Sequence, residues 1–446
     1  MGLGEGFKNF IENLEPDNLN AMETTVGDIA KKLNKSYYGL EGDSTSHMYI
    51  VGSVGRETAI KGVSDLDIIF DLPKETYNQY NKYQNNGQSA LLQEVKKVLN
   101  EKYPKSDISG DGQVIVINFN KYTVELVPSF KQSDDTFKYP DTNNGGSWKF
   151  TDPLPEITES KKMADDTENN FKYIANMLRA WKNKQGFKFG GLLIDSLTYK
   201  FLNENEEFKE IGFDDYLGMA KELFNFLKGL NKEQSYWYAI GSNQQVYNCD
   251  NGKFIIKAEK AYNKIKDLNE SSSNVNKILR EVFGTKFPKK EANETKNTFA
   301  SYNSKRYSNT EQFIENLFPI DIRYNLKIDC KITQDGFRPT LLSLVRKDKK
   351  YLKSKKKLEF YIDCMDRCIE QNGPYGIYWK VRNKGQIAIE KDCIRGQIKK
   401  TNNKTQRESS DFKGEHFVEC YIVQNEVCVA KSHLDVPISN YEYIMG

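Results

Sequence analysis

With 446 residues the chain is long enough for two to four domains and a large buried core. Its net charge of +3 and 38% apolar content exclude a disordered chain and a global field that draws in nucleic acid, so any basic site must be local. Three histidines, and seven cysteines that form no C-x-x-C pair, argue against a zinc set or chemistry built on several histidines. The thiols read as reduced, which suits a cytoplasm. MGLGEGFKNF at the N-terminus has no basic stretch followed by an apolar one. No apolar run approaches the ~18 residues of a membrane span. The chain is therefore read as soluble, unexported and cytoplasmic.

In chain order, residues 5–38 read as helix: Phe7, Phe10, Ile11 and Leu14 share a face, and after Pro16 so do Met22, Val26, Ile29, Leu33 and Tyr37. Met48 to Val51 is a short strand ending at Gly52-Ser53. Glu57 to Lys61 is expected to begin a short helix, whose first N–H groups suit phosphate. Leu66 to Leu72 is a strand, and Glu75 to Tyr103 is mostly helical. Gln113 to Phe119 and Tyr122 to Val127 pair as a hairpin. Residues 131–157 read as a loop-rich crossing. Helical periodicity then dominates over Thr167 to Lys184, Leu192 to Asn203, Tyr216 to Leu230 and Gly252 to Leu268. Residues 286–312 are polar and patternless, a linker. Beyond it, alternation in Tyr324 to Ile332, Ile377 to Val381, Phe417 to Val423 and Val427 to Lys431 predicts a β-rich domain. The expected division is 1–165, a mixed α/β lobe with N-terminal helices; 166–285, a helical lobe; 286–315, a linker; and 316–446, a C-terminal domain.

Three carboxylates carry the chemistry. Asp65 and Asp67 stand at i and i+2 of a strand and so share a face. Alone, that pair fits the solvated face of an edge strand. Here the strand continues through apolar residues, and two like charges at the start of a buried strand repel unless a cation neutralises them. Glu125, between apolar neighbours in VELVPSF, raises the same question. One answer serves all three: Asp65, Asp67 and Glu125 bind two Mg²⁺ ions, with Mn²⁺ able to substitute. The strand-turn at Gly52 and Ser53 would hold a triphosphate, since glycine admits a ligand close to the backbone. Arg56 and Thr58, just after that turn, fit structural roles.

The joint pattern of G-S, D-x-D and an acidic residue before Val-Pro resembles the polymerase-β-type nucleotidyltransferases. More narrowly, GSVGRETAI, DLDIIFDLP, DGQVIVINF, VELVPSF and YPDTNNGGSWKFTDP are similar to the bacterial CD-NTases, the cGAS-like "SMODS" enzymes. The resemblance covers about residues 1–285. It implies a polymerase-β-like α+β fold and Mg²⁺-dependent joining of nucleoside triphosphates (ATP and another) into a cyclic or short linear oligonucleotide second messenger for anti-phage signalling. Members often carry Asp at the third acidic position, where this chain has Glu125. The resemblance also implies a helix lysine near the triphosphate, matched by Lys182, for which the plain alternative is an exposed lysine on an amphipathic helix. Where two serines would follow, the chain has Gly190-Gly191.

From about 316 to 440, FPIDIRYNLKIDC, YWKVRNKGQIAIEKDCIRGQI and FKGEHFVECYIV resemble the sensor domain fused to such enzymes, the adenylyl/guanylyl and SMODS C-terminal sensor. That resemblance implies an activating ligand. Trp379, Arg395 and His416 are candidate contacts, against plain roles as core, surface pair and strand-end residue. The run Arg346 to Lys357 has eight basic residues against one acid; it reads as a solvated face and leaves nucleic-acid binding open. The chain is read as a monomer. A nucleotidyltransferase acting on tRNA or protein would use the same carboxylates, and a non-catalytic nucleotide sensor would not need them.

Overall fold

The computed structural model describes residues 2–42, 44–119, 121–289, 311–333, 336, 338–348, 352, 356–371, 373–384, 388, 394–410 and 416–438. Most of the expected linker, much of the basic run after Arg346, and Cys393 lie outside them. The chain divides into two compact units, Met1–Gln185 with Phe189–Lys290, and Gly186–Lys188 with Glu291–Gly446. Among the described residues no helix is long and apolar enough to cross a membrane.

The first unit opens with α1 (Leu3–Glu12) and α2 (Leu19–Tyr38), then β1 (Met48–Ile50), α3 (Gly52–Gly55), β2 (Asp65–Asp71), α4 (Lys74–Asn81), α5 (Gly87–Lys102), β3 (Asp107–Asp111), β4 (Val114–Asn118) and β5 (Thr123–Lys131). The sheet order is β1-β2-β5-β4-β3, with β2 and β5 parallel and the other pairs antiparallel. Alternation sorts its two faces. Leu66, Ile68 and Phe70 of β2, Ile115 and Ile117 of β4, and Val124 and Leu126 of β5 pack in one cluster with Met22, Val26, Ile29 and Leu33 of α2 and Leu91, Leu92, Val95 and Leu99 of α5. Full burial of such a side chain is worth about 1.5–3 kcal/mol each, which fixes the register against a one-residue slip.

Two readings change here. The helix expected to begin over 57–61 lies earlier, over Gly52–Gly55, so the Gly-Ser turn is itself the helix start. The crossing at 131–157 is not loop-rich: β6 (Phe137–Asp141) pairs with β5 and with β7 (Ser147–Thr151), and α6 (Pro153–Asp166) follows. Phe137 reaches the second sheet face, where Val51, Ile69 and Val127 meet Leu154 and Ile157 of α6. Its strand is short and contains Pro140, which weakened the sequence signal.

The helical part contains α7 (Asn170–Gln185), α8 (Gly191–Glu204), α9 (Tyr216–Gly229), a hairpin of β8 (Tyr236–Tyr238) and β9 (Gln245–Tyr247), α10 (Lys253–Ile265) and α11 (Val275–Phe283). Helix α1 belongs to its core: Phe7 and Phe10 pack on Phe287, and Phe10 also meets Phe283. Helix α7 is buried nearly all round, from Phe171 through Trp181. Its polar residues are therefore interior, not a solvent stripe.

The second unit is a pair of sheets around one apolar cluster. One sheet, β11-β10-β12-β15, uses β10 (Leu326–Thr333), β11 (Thr340–Leu341), β12 (Lys357–Met365) and β15 (Thr405–Ser409). The other, β14-β13-β16-β17, uses β13 (Tyr375–Asn383), β14 (Arg395–Lys400), β16 (His416–Gln424) and β17 (Val427–Val436). Ile314 and Ile322, from the segment before β10, pack on the outer face of the second sheet against Tyr421, Val423 and Cys428. Six cysteines of the described residues are free thiols.

Candidate active site

Register brings the carboxylates together. In the parallel pair β2/β5, Asp67 stands opposite Glu125 and Asp65 opposite Thr123. Leu66, Ile68, Val124 and Leu126 point into the core and are fully buried. Asp65, Asp67 and Glu125, half-buried, therefore share the other face. Sequence spacing placed the two aspartates on one face; only strand pairing put Glu125 beside Asp67.

The Gly52-Ser53 turn meets the same face. The N–H of Val51 donates to the Asp67 carbonyl at 2.9 Å, tying the end of β1 to β2. Gly52 has φ +63°, and a Cβ there would stand 1.9 Å from Asp67 Oδ2. Only glycine combines that backbone conformation with that approach. The Asp67 carboxylate thus lies directly over the start of α3, where the first N–H groups of a helical turn lack intrahelical acceptors.

The donor set fits a hard divalent cation in kind, being three carboxylates on one face beside a glycine cradle. Among the described residues, no three His, Cys, Asp or Glu side chains are already drawn together tightly enough to hold an ion.

Lys182 is not the exposed lysine its helix pattern suggested. It is 8% exposed, because α7 is interior. One turn before it stands Arg179, which sequence reading passed over, at the centre of a buried network. Arg179 donates from its two terminal nitrogens to Asp195 Oδ1 at 2.7 Å and Oδ2 at 2.9 Å. Arg56 Nε donates to Asp195 Oδ2 at 2.9 Å, and Thr58 Oγ1 donates to the same oxygen at 3.0 Å. Arg56 also reaches Glu156 at 3.3 Å, and Ser242 donates to Glu156 at 3.1 Å. Burial alone would push Asp195 up, but the Arg179 and Arg56 guanidiniums outweigh it and hold the carboxyl below its ordinary value. At Glu156 burial wins over Arg56, and its carboxyl is raised. Arg56 and Thr58 are structural, as expected; Asp195 lies in otherwise ordinary helical sequence and Glu156 in the stretch read as a crossing, with nothing local to mark either. Gly190 precedes α8, with open space where its Cβ would be, and a Cβ on Gly191 would sit 3.3 Å from Arg179.

In the second unit the three candidate ligand contacts take plain roles. Trp379 is core, donating from Nε1 to the Asn403 carbonyl at 3.0 Å. Arg395 makes a two-pronged pair with Glu408 at 2.6 and 3.0 Å. His416 is buried as the first residue of β16. The charged cluster of this unit lies elsewhere, on the outer face of its second sheet. There Lys380 bridges Glu311 at 2.8 Å and Glu419 at 3.3 Å, and His433 contacts Glu419 and Asp435 at 3.1 Å each.

Comparison with known proteins adds two family matches. Residues 1–163 match the Second Messenger Oligonucleotide or Dinucleotide Synthetase domain. Residues 308–439 match the Adenylyl/Guanylyl and SMODS C-terminal sensor domain. No curated protein matches the sequence. Among solved structures, the Escherichia coli MS115-1 CdnC:HORMA-deltaN complex is similar at TM-score 0.50 and 15% identity, covering 65% of this chain and 99% of that one. CdnC with ATP from the same organism is similar at TM-score 0.50 and 14% identity, with the same coverage. At such identity the likeness shows the fold.

Proposed function

The chain belongs to the bacterial cGAS-like nucleotidyltransferases, the CD-NTases, with a C-terminal sensor domain of the AGS-C type, and from that premise we propose that Asp65, Asp67 and Glu125 form the Mg²⁺-dependent centre that makes its product. It is a nucleotidyltransferase of the second-messenger oligonucleotide class. The observation that carries the assignment of residues is the pairing of Asp67 with Glu125 across β2/β5, beside the glycine that admits the Asp67 carboxylate.

In this reading the substrates are nucleoside triphosphates, ATP among them; the similar CdnC structure contains ATP. A ribose hydroxyl attacks an α-phosphate in line, the new P–O bond forms as the bond to pyrophosphate breaks, and the hydroxyl proton is lost. Asp65, Asp67 and Glu125 would hold Mg²⁺, which supplies charge neutralisation and a more acidic hydroxyl when bound. Glu125 is the carboxylate assigned to favour that deprotonation. Backbone N–H groups at Gly52 and Ser53 bind the triphosphate, Lys182 adds positive charge, and Gly190-Gly191 offers backbone donors in place of hydroxyls. The catalytic lobe spans 1–165 and the helical lobe 166–285; a linker over 286–315 leads to the sensor-like domain at 316–446. That domain takes an activating ligand, and the product serves anti-phage signalling in the cytoplasm.

The test uses the full chain with radiolabelled triphosphates mixed pairwise, Mg²⁺ or Mn²⁺, and mass determination of products. The expected result is a cyclic or short oligonucleotide with release of pyrophosphate, abolished in Asp67→Asn and Glu125→Gln. Unchanged product from those variants, or label appearing only on tRNA or protein, would sink the reading.

A further inference from the structure

We infer that Asp195 is a positioning residue for the triphosphate, acting through Arg56, Thr58 and Arg179. The inference rests on the reading that Gly52-Ser53, Lys182 and Gly190-Gly191 face the triphosphate. Each of those three segments has one member of the buried network close to it in sequence. Arg56 is the residue that ends α3. Arg179 is one helical turn before Lys182 on α7, and its guanidinium also donates to the Gly191 carbonyl at 3.3 Å. Asp195 is one turn after Gly191 on α8. Thr58 Oγ1 closes the set, donating to Asp195 at 3.0 Å and accepting from Arg179 at 3.0 Å.

Thr58 and Asp195 are fully buried, and the buried guanidiniums of Arg56 and Arg179 are turned onto Asp195, so the groups act on one another. They also make a poor choice for plain cohesion. Apolar side chains of similar volume would join the same elements without desolvating four charges, counting Glu156. What the Arg179 fork supplies on Asp195, with Arg56 Nε on the same carboxylate and Arg56 Nη1 held by Glu156, is orientation, because planar paired hydrogen bonds fix angle as well as distance. Asp195 thereby sets the α3 turn, the Lys182 segment and the start of α8 at one fixed spacing, the spacing a triphosphate must find already made.

The experiment compares equilibrium binding of Mg²⁺ with a non-hydrolysable ATP analogue and of adenosine to the full chain, with turnover measured in parallel. The variants are Asp195→Asn, Thr58→Val and Thr58→Ser. Asp195→Asn and Thr58→Val are expected to weaken the ATP analogue at least tenfold while adenosine changes less than twofold, and to raise KM by a larger factor than they lower kcat. Thr58→Ser, which keeps the hydroxyl, restores wild-type values. Equal losses for analogue and adenosine, or unchanged analogue binding in Thr58→Val, overturn the inference. Thr58→Val keeps the test decisive if Asp195→Asn fails to fold. Wild-type protein that binds the analogue no better than adenosine overturns the underlying triphosphate reading instead, and the inference falls with it.

Discussion

Each compact unit carries a chain of opposite charges, sealed in the first and partly exposed in the second, and the two are built from different groups. In the first unit two guanidiniums meet Asp195 and Glu156, all nearly inaccessible to water. In the second, Lys380, Arg382 and Lys384 alternate with Glu311, Glu419 and Asp435, and His433 stands between two of the carboxylates. Its side chains range from 3% exposed at Lys380 to 54% at Asp435. A guanidinium does not lose its proton at any ordinary pH, so the first cluster keeps a fixed geometry. An imidazole titrates near neutrality, so the second changes charge under mild conditions. The contrast is between a sealed cluster of fixed charge in one unit and a partly exposed, titratable one in the other.

The largest effect expected from breaking this contrast is at Asp195. Asp195→Ala leaves two guanidiniums facing one another without their shared acceptor, at a cost of about 3–5 kcal/mol. Denaturant unfolding of the full chain measures it, and a loss below 1 kcal/mol would mean the first cluster is not sealed. Lys380→Ala comes next. It leaves Glu311 and Glu419 opposed, but both are about a fifth exposed, so the expected loss is about 2 kcal/mol after solvent screening.

A pH scan sharpens the comparison further. Burial pulls His433 down, yet the Asp435 and Glu419 carboxylates on its two nitrogens outweigh it and raise it above 6.5. The hydrogen bond from His433 holds Asp435 well below the carboxylate range, and at Glu419 His433 and Lys380 outweigh burial to the same effect. A raised histidine contributes stability that is complete below its ordinary value and is lost as pH rises through the folded one. The lowered carboxylates contribute above their ordinary values and lose it as pH falls. Melting of the second unit should therefore peak in mildly acidic solution and decline toward alkaline pH. His433→Gln should flatten the alkaline limb and leave the first unit's profile unchanged; an unaltered limb would show that His433 is not responsible. The smallest effect is at the exposed Arg395–Glu408 pair, where Arg395→Ala should cost under about 1 kcal/mol in the same unfolding assay.

Much of the site was legible along the chain because its signals are local. Asp65 and Asp67 declare a common face by spacing alone, and the Gly-Ser turn before them marks a close backbone approach. The helices of 166–285 were visible in their apolar period. Strands β6 and β7 were not, since Pro140 and the Asn143–Gly146 turn imitate a loop. The burial of Lys182 was hidden for a related reason: α7 carries polar residues at intervals, and a single sequence cannot tell a solvent-facing stripe from one buried against another element.

The sequence by itself determined the nucleotidyltransferase motifs, the mixed α+β class, the β-rich character after residue 316, and the shared face of Asp65 and Asp67. Those follow from short-range periodicity and from residue chemistry within a few positions. The tertiary structure decided that Glu125 lies opposite Asp67, that Asp67 leans over Gly52, and that Asp195 joins Arg56, Thr58 and Arg179. These depend on the register of the parallel pair β2/β5, on the pairing of β1 with β2, and on α7 and α8 packing against Arg56 and Thr58 from a distant part of the chain, which no local pattern encodes.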